Sequence, residues 1–176
     1  LLCQVDDIRP DDMVVLELSS FQLMTVRQSP GIAVVTNLAP NHLDVHKDMD
    51  EYVEAKRNIF AYQDACDRLV LNADNDLTAG FAKQARGAVT LFSRKKPVEG
   101  GVYLREKTVM CGGRPVLTVD DILLPGLHNL ENYMAAIAAV DGLVPDEVIR
   151  DFARVFGGVE HRIELVRELD GVRYYN

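Results

Sequence analysis

The feature that most constrains the fold of this chain is the alternation of short apolar runs with longer amphipathic stretches. The runs hold four to six residues each and are rich in Val and Leu, as is typical of strands buried on both faces of a parallel sheet. The stretches between them repeat apolar residues at helical spacing. This alternation predicts an α/β fold with a doubly wound, mostly parallel sheet and flanking helices. The predicted strands are 13–18, 32–37, 68–71 and 88–92, and the predicted helices are 49–63, 75–86, 129–143 and one after Pro145.

The pattern changes within residues 100–122, where three shorter apolar runs are separated by tight-turn signals. The turns fall at the pairs 106–107 and 112–113, the second of which is Gly-Gly. Such spacing predicts a small antiparallel meander. Near the end of the chain, Asp170-Gly171 lies between two apolar runs and predicts a β-hairpin.

Composition excludes several classes of partner. The chain has 176 residues, 27 acidic against 19 basic side chains, a net charge of −8 and a pI near 4.9. Nucleic acids and anionic membranes need a basic surface, so we expect neither as a partner. No run approaches the ~20 apolar residues of a membrane helix, so we expect no membrane insertion. Three cysteines, an odd number without metal-binding spacing, favour a reducing cytoplasm.

Glu17 is the first candidate for a chemical role. It stands near the C-terminal end of the first predicted strand, and open α/β sheets bind ligands at that end of their strands. The period of two along a strand places Ser19 on the same side as Glu17. The alternative is a strand-end glutamate that simply faces water.

A second candidate is the loop after the next strand, which contains His42, Asp44 and His46. Imidazole and carboxylate groups at alternating positions are able to converge on a metal ion. A solvated loop is the competing interpretation, and this pattern alone does not decide between the two.

Lys56 lies in the apolar stripe of a predicted helix, at helical spacing from Met49, Val53 and Phe60. One interpretation is that its stem packs inward while the ammonium reaches water. The other is that burial lowers its pKa and leaves some neutral amine. Such an amine adds carbon dioxide to form a carbamate, an anionic oxygen donor suited to Mg²⁺.

Two further places carry polar groups suited to a nucleotide. Asn129 and Asn132 share one face of a helix that starts after Gly126, where backbone N–H groups favour ligand acceptors. Capping by Asn129 and solvation of Asn132 is the alternative. Arg162 follows a Gly-Gly pair and is able to donate a bidentate pair of hydrogen bonds to phosphate, or to pair with a surface carboxylate.

Five segments, in chain order, resemble the Mur ligase family. The first, 16–23, has the sequence Leu-Glu-Leu-Ser-Ser-Phe-Gln-Leu and is similar to the branch of the family that adds D-glutamate. The others are 37–44, 52–60, 124–132 and 156–164. The resemblance covers nearly the whole chain and implies the family's central ATP-binding domain, which is related to the P-loop NTPases.

The resemblance implies ATP-dependent amide bond formation in the synthesis of a peptidoglycan precursor. ATP would phosphorylate the carboxylate of UDP-N-acetylmuramoyl-L-alanine, and the amine of D-glutamate would attack the resulting acyl phosphate. ATP and Mg²⁺ are the implied cofactors. A cytoplasmic enzyme that is a monomer at full length is also implied.

The resemblance also implies roles for individual residues. Glu17, His42 and carbamylated Lys56 would be the catalytic residues that hold Mg²⁺ near the transferred phosphoryl group. The remaining implied residues bind the two large substrates. They are Ser19 and Gln22 for the UDP-sugar, Asn129 and Asn132 for the adenine end of ATP, and Arg162 for its phosphates. The family pattern does not require His46, so His46→Ala is expected to be nearly silent.

One departure from the family pattern concerns its phosphate-binding loop, G-x-x-G-K-[ST], which this sequence lacks. We therefore expect residues 1–176 to be a truncated central domain without the UDP-binding N-terminal and the C-terminal domains. Residues 163–176 would lead into the C-terminal linker. We expect this piece alone to be inactive.

Three other functions remain open at this stage. Another Mur-type or folylpolyglutamate-type amide ligase would share Lys56 and the two asparagines. A metal-dependent hydrolase would use His42, Asp44 and His46 together with further ligands. A non-catalytic binding module would account for the missing phosphate-binding loop.

Overall fold

The computed structural model describes residues 2–40, 46–159 and 165–175. Within these residues the main sheet has six strands in chain order, β1 to β6. Neighbours from β1 to β4 pair in parallel, whereas β4, β5 and β6 pair in antiparallel fashion. The strands are β1 (Ile32–Val35), β2 (Arg68–Asn72), β3 (Ala88–Ser93), β4 (Val102–Arg105), β5 (Thr108–Cys111) and β6 (Arg114–Thr118). The predicted α/β class, with its antiparallel meander, is confirmed.

The helices cover both faces of this sheet. They are α1 (Ser20–Leu23), α2 (Met49–Arg57), α3 (Asp76–Gly80), α4 (Leu127–Val140) and α5 (Asp146–Val155), with 3-10 helices at Leu2–Asp7, Phe81–Gln84 and Val119–Asp121. Alternation along β2 shows the two faces: Leu69 and Leu71 pack with Tyr52 and Phe60, while Val70 packs in the cluster of α4. α4 contacts β1 through β5. A central strand buried on both faces is the arrangement expected of a doubly wound sheet.

Residues 13–18 do not form the predicted strand. No strand is assigned there, and Met13 and Val15 are 63% and 87% exposed. A strand needs a neighbour for its N–H and C=O groups, and within the described residues β1 pairs with β2 alone. The apolar composition of residues 13–18 predicts a strand, but composition alone does not provide a neighbouring strand to pair with. Glu17 therefore lies in an irregular segment before α1, not at the end of a strand.

The first two predicted helices, 49–63 and 75–86, are shorter than the hydrophobic pattern indicated. Asp48 caps α2, accepting a hydrogen bond from the backbone N–H of Glu51, and α2 ends at Arg57. Tight turns continue the chain to Phe60. Asn75 caps α3, which ends at Gly80 and continues as a 3-10 helix. Apolar spacing persists through such turns because 3-10 and α-helical periods differ little over a few residues.

The predicted helices at 129–143 and after Pro145 are confirmed, with boundaries shifted by a few residues. The predicted terminal hairpin is also confirmed. β7 (Leu165–Leu169) and β8 (Val172–Tyr175) form a separate two-stranded antiparallel sheet. Its turn contains Asp170 at φ 50° and Gly171 at φ 78°, the left-handed conformation that Asp-Gly hairpins favour.

Candidate active site

A cavity of about 420 Å³ lies between the segment 17–22 and helix α2. The irregular segment before α1 and α1 itself supply one wall, and α2 supplies Tyr52 and Lys56 on the other. We call it the lysine cavity. It brings together four of the residues singled out from the sequence, which are Glu17, Ser19, Gln22 and Lys56.

Lys56 extends from α2 into the lysine cavity. Its side-chain nitrogen donates a hydrogen bond to the carbonyl oxygen of Leu18 at 3.3 Å. Burial lowers the pKa of Lys56, and the negative charge of Glu17 partly opposes this effect. Lys56 is half-buried and bonded to Leu18, so its side chain is not freely solvated, and the direction of the pKa change favours the neutral amine relative to an exposed lysine.

Ser19 and Gln22 hold each other in a capping box at the start of α1. The Ser19 hydroxyl oxygen accepts from the backbone N–H of Gln22 at 3.2 Å, and the Gln22 side-chain oxygen accepts from the backbone N–H of Ser19 at 2.8 Å. These reciprocal bonds satisfy backbone donors that a helix start leaves unpaired. They also fix two polar side chains at the wall of the lysine cavity.

His46 lies in the protein interior and is only 2% exposed. Its Nε2 atom is 2.8 Å from the hydroxyl oxygen of Ser20, and its ring stacks on Phe21. His42 and Asp44, the other members of the predicted loop triad, lie outside the described residues. Within the described part of the chain, no group of three or more His, Cys, Asp and Glu side chains is arranged to hold a metal ion. His46 is thus a packed histidine in contact with α1.

A second cavity, of about 310 Å³, lies at the carboxyl ends of the parallel strands. We call it the strand-end cavity. Polar residues that follow β1, β2 and β3 meet there with the first turns of α4. The polar residues that line this cavity include Asn37, Asp74, Asn75, Arg94, Glu131 and Asn132. Its position is the one at which open α/β sheets bind ligands.

Hydrogen bonds between loops fix the shape of the strand-end cavity. Asp74 accepts from the Ser93 hydroxyl at 2.6 Å and from the backbone N–H of Arg94 at 2.8 Å. The Asn75 amide donates to the side chain of Asn37 at 2.7 Å. Arg94 in turn donates to Glu131 on α4 at 2.8 Å. Three strand ends and one helix are therefore linked by side chains around a single opening.

The two asparagines of α4 have different environments. Asn132 is exposed and lines the strand-end cavity. Asn129 is half-buried, and its amide donates to the carbonyl oxygen of Pro125 at 2.7 Å, so it closes the turn that precedes α4. Arg162 lies outside the described residues. The sequence-based pairing of the asparagines on one ligand therefore applies most directly to Asn132.

Sequence analysis missed Asp74, Arg94 and Glu131. A signal for the first two was present, because each follows closely on a strand of the parallel sheet, where ligand-binding loops lie. Glu131 had no such signal, since a glutamate in the second turn of a helix is ordinarily solvated. Only the contact with Arg94 places it at the cavity.

Residues 6–140 match the model of the Mur ligase middle domain, and the chain belongs to this family. UDP-N-acetylmuramoylalanine–D-glutamate ligase of Acetivibrio thermocellus is 55% identical over 180 residues, aligned with 100% of this chain and 39% of its own length. The enzyme of the same name from Clostridium novyi is 51% identical, over 100% of this chain and 38% of its own length. The chain thus spans about two fifths of the length of these curated relatives.

Solved structures show the same fold. A UDP-N-acetylmuramoyl-L-alanyl-D-glutamate–2,6-diaminopimelate ligase superposes with a TM-score of 0.70 and 22% identity, covering 87% of this chain and 34% of that chain. MurF from Acinetobacter baumannii superposes with a TM-score of 0.63 and 21% identity, covering 79% and 32%. Among the described residues, no helix combines the length and apolar character required to cross a membrane.

Proposed function

We propose that the protein containing this chain is an ATP-dependent ligase that joins D-glutamate to UDP-N-acetylmuramoyl-L-alanine. The observation that carries the proposal is the meeting of Lys56 and Glu17 in one cavity with the capping-box pair Ser19 and Gln22. Relatives that are about half identical over the whole of this chain bear the name of that ligase, which supports the choice of substrates. We also propose a cytoplasmic enzyme that is a monomer at full length.

In this proposal Lys56 acts as a carbamate. Burial favours the neutral amine, and the neutral amine is the form that adds carbon dioxide. The product carries a negative charge on two oxygens and keeps one N–H, which is able to retain the bond to the Leu18 carbonyl. A lysine is thereby converted from a cation into an oxygen donor.

The residues of the lysine cavity fit Mg²⁺ only in this carbamate form. As an ammonium, Lys56 would repel a cation beside Glu17, whereas a carbamate and a carboxylate are both ligands that Mg²⁺ accepts. Glu17, the Lys56 carbamate and His42 would hold the ion. When bound, Mg²⁺ neutralises negative charge on the phosphoryl oxygens.

In this proposal each cavity binds a different substrate. Ser19 and Gln22 would contact the UDP-sugar at the lysine cavity, where their capping box holds them in place. Asn132, which lines the strand-end cavity, and Asn129 would bind the adenine end of ATP, and Arg162 would reach the phosphates. Catalysis by such a site consists mainly of positioning and charge neutralisation.

The reaction balances in two steps. A carboxylate oxygen of UDP-N-acetylmuramoyl-L-alanine bonds to the γ-phosphorus of ATP while the bond to ADP breaks. The amine of D-glutamate then bonds to the acyl carbon and loses a proton, and inorganic phosphate leaves with the electrons of the broken C–O bond. The products are the amide, ADP and phosphate.

The test is phosphate release by the intact protein that contains this chain, with ATP, Mg²⁺ and UDP-N-acetylmuramoyl-L-alanine, in the presence and absence of D-glutamate. Release that depends on D-glutamate supports the proposal. Phosphate release that depends on another amino acid would support an ATP-dependent ligase but contradict D-glutamate as its substrate. An absence of release under every condition would overturn the ligase itself.

A further inference from the structure

His46 is enclosed between the two elements that form the walls of the lysine cavity. Its ring stacks on Phe21 of α1, with centroids 5.2 Å apart and planes 8° from parallel. On α2, the ring of Tyr52 meets it edge to face at 5.4 Å. Both His46 and Ser20 are 2% exposed, so the contact between them is shielded from water.

A hydrogen bond joins His46 to Ser20, the first residue of α1. The Nε2 atom of His46 is 2.8 Å from the Ser20 hydroxyl oxygen, and Ser20 directly follows Ser19 at the cavity wall. α1 has only four residues, and a single helical turn is not stable by its own hydrogen bonds. The position of this wall therefore depends on what α1 packs against.

The environment of the other ring nitrogen fixes the direction of this bond. Nδ1 is buried and 3.7 Å from a carboxylate oxygen of Glu51, with no hydrogen-bond partner among the described residues. A proton on Nδ1 is attracted to that carboxylate, whereas a bare lone pair is repelled by it. The tautomer with Nδ1–H is thus favoured, and Nε2 accepts a hydrogen bond from the Ser20 hydroxyl.

From this geometry we propose that His46 is a positioning residue for the UDP-sugar substrate. It holds α1 against α2, and so sets the place of Ser19 and Gln22 at the lysine cavity without touching the substrate. The role in substrate binding rests on the proposed function, whereas the effect on α1 does not. The family pattern alone predicts a silent substitution at His46, and this geometry predicts the opposite.

Three variants of the intact protein test the proposal. His46→Leu replaces the imidazole with an apolar side chain of moderate size and removes the hydrogen bond. Ser20→Ala removes the same bond from the other side. His46→Gln keeps a polar group able to accept from Ser20. The matched control is Gln63→Leu, since Gln63 is 1% exposed, donates to the carbonyls of Pro30 and Arg68 at 2.9 Å, and lines neither cavity.

The first measurement is amide hydrogen exchange of the segment 18–24, which needs neither ligand nor activity. One lost buried hydrogen bond corresponds to about tenfold faster exchange there in His46→Leu and Ser20→Ala. We expect His46→Gln to stay within about threefold of the wild type by the same reasoning. Gln63→Leu should leave this segment unchanged while lowering the melting temperature. Unchanged exchange in His46→Leu, or equal acceleration in Gln63→Leu, would overturn the proposal.

The second measurement separates the KM for each substrate. His46→Leu and Ser20→Ala should raise the KM for UDP-N-acetylmuramoyl-L-alanine about tenfold, with the KM for ATP within about twofold. An equal rise in both KM values would indicate general loosening and would overturn the role in UDP-sugar positioning. If the wild-type protein has no ligase activity, the proposed function fails, and the exchange experiment still decides whether His46 positions α1.

Discussion

The side-chain nitrogen of Lys56 lies 3.3 Å from the carbonyl oxygen of Leu18. This bond joins the last turn of α2 to the irregular segment that contains Glu17, so the lysine is held in the cavity wall. An exposed lysine samples many rotamers, and ordering it costs free energy. Here the hydrogen bond to Leu18 orders the side chain without a ligand, and the proposed carbamate would need such ordering to hold its charge at one position.

Replacement of this lysine is expected to remove activity. Lys56→Ala in the intact protein deletes the proposed carbamate and should lower kcat by about 100-fold or more, the scale at which single charge-stabilising groups act. Added acetate should restore part of the rate, since a small carboxylate is able to take the place of the carbamate oxygens. The measurement is phosphate release with and without acetate.

Lys83→Ala is the control for this experiment, because Lys83 is exposed and lines neither cavity. Its rate should equal that of the wild type, with or without acetate. A wild-type rate in Lys56→Ala would contradict the carbamate role, and so would an acetate effect of the same size in the Lys83→Ala variant.

The two asparagines of α4 should differ in their effect on nucleotide binding. Asn132 lines the strand-end cavity, so Asn132→Ala should weaken the binding of a non-hydrolysable ATP analogue by about tenfold, as expected for the loss of one polar contact. Asn129 is engaged with Pro125, so Asn129→Ala should lower the melting temperature and change affinity less. Calorimetric titration of both variants measures the difference. Equal losses of affinity would show that both side chains contact the nucleotide.

Much of the fold follows from hydrophobic patterning, and residues 13–18 show where patterning fails. The strand β2 is nearly fully buried, β3 is buried at its C-terminal end, and the apolar runs of both predict them to within a residue. The run at 13–18 has a similar composition but no pairing partner among the described strands. Pairing is a property of two segments, and the sequence of one segment does not contain it.

In the candidate site, too, local sequence patterns predict some residues and miss others. The sequence indicates Glu17 because it stands near the C-terminal end of an apolar run, and Lys56 because it interrupts an apolar stripe; both line one cavity. The contact of Arg94 with Glu131 joins residues far apart in sequence, so no local pattern signals it. The spacing of His46 from His42 predicts a solvated or metal-binding loop. The burial of His46 depends on Phe21 and Tyr52, which the spacing does not include.

Arg68 stabilises the end of α4 from the start of β2. Its guanidinium donates to the carbonyl oxygens of Ala138, Ala139 and Asp141 at 3.4, 3.2 and 2.9 Å. The last carbonyls of a helix have no partner within it, and a cation there also offsets the helix dipole. Arg68→Met should therefore cost about 1–2 kcal/mol of stability.

Thermal unfolding checks this expectation, with Arg105→Met as the control. Arg105 is an exposed arginine at the end of β4, and its replacement should leave the melting temperature unchanged. Equal melting temperatures for Arg68→Met and Arg105→Met would show that the three carbonyls are satisfied equally well by water.

Asp121 gives the fold a dependence on pH that is separate from both cavities. Its carboxylate accepts from the backbone N–H and the hydroxyl of Thr118, both at 2.8 Å, and from Arg154 at 2.9 Å. The hydrogen bonds from Thr118, reinforced by the charge of Arg154, lower the pKa of Asp121 to about 2. Because the folded-state pKa lies below that of the unfolded chain, near ~3.9, ionised Asp121 stabilises the fold at neutral pH. This stabilisation is complete above about pH 4 and is lost as the pH falls towards 2.

Asp121→Ala should lower the melting temperature at pH 7 by roughly 2–4 °C, the shift expected for the loss of about 1 kcal/mol in a chain of this size. The difference in melting temperature between Asp121→Ala and the wild type should become smaller as the pH is lowered from 4 towards 2. Asp120→Ala is the matched control. Asp120 is the neighbouring residue, and among the described residues it pairs with Lys107 alone, at 3.4 Å, with both side chains more than 70% exposed. Exposed ion pairs of this kind contribute little to the free energy of unfolding. The melting temperature of Asp120→Ala should therefore equal that of the wild type at every pH. A deficit in Asp121→Ala that stays constant from pH 7 to pH 3 would mean that the geometry of the cap, and not the charge of the carboxylate, stabilises the turn.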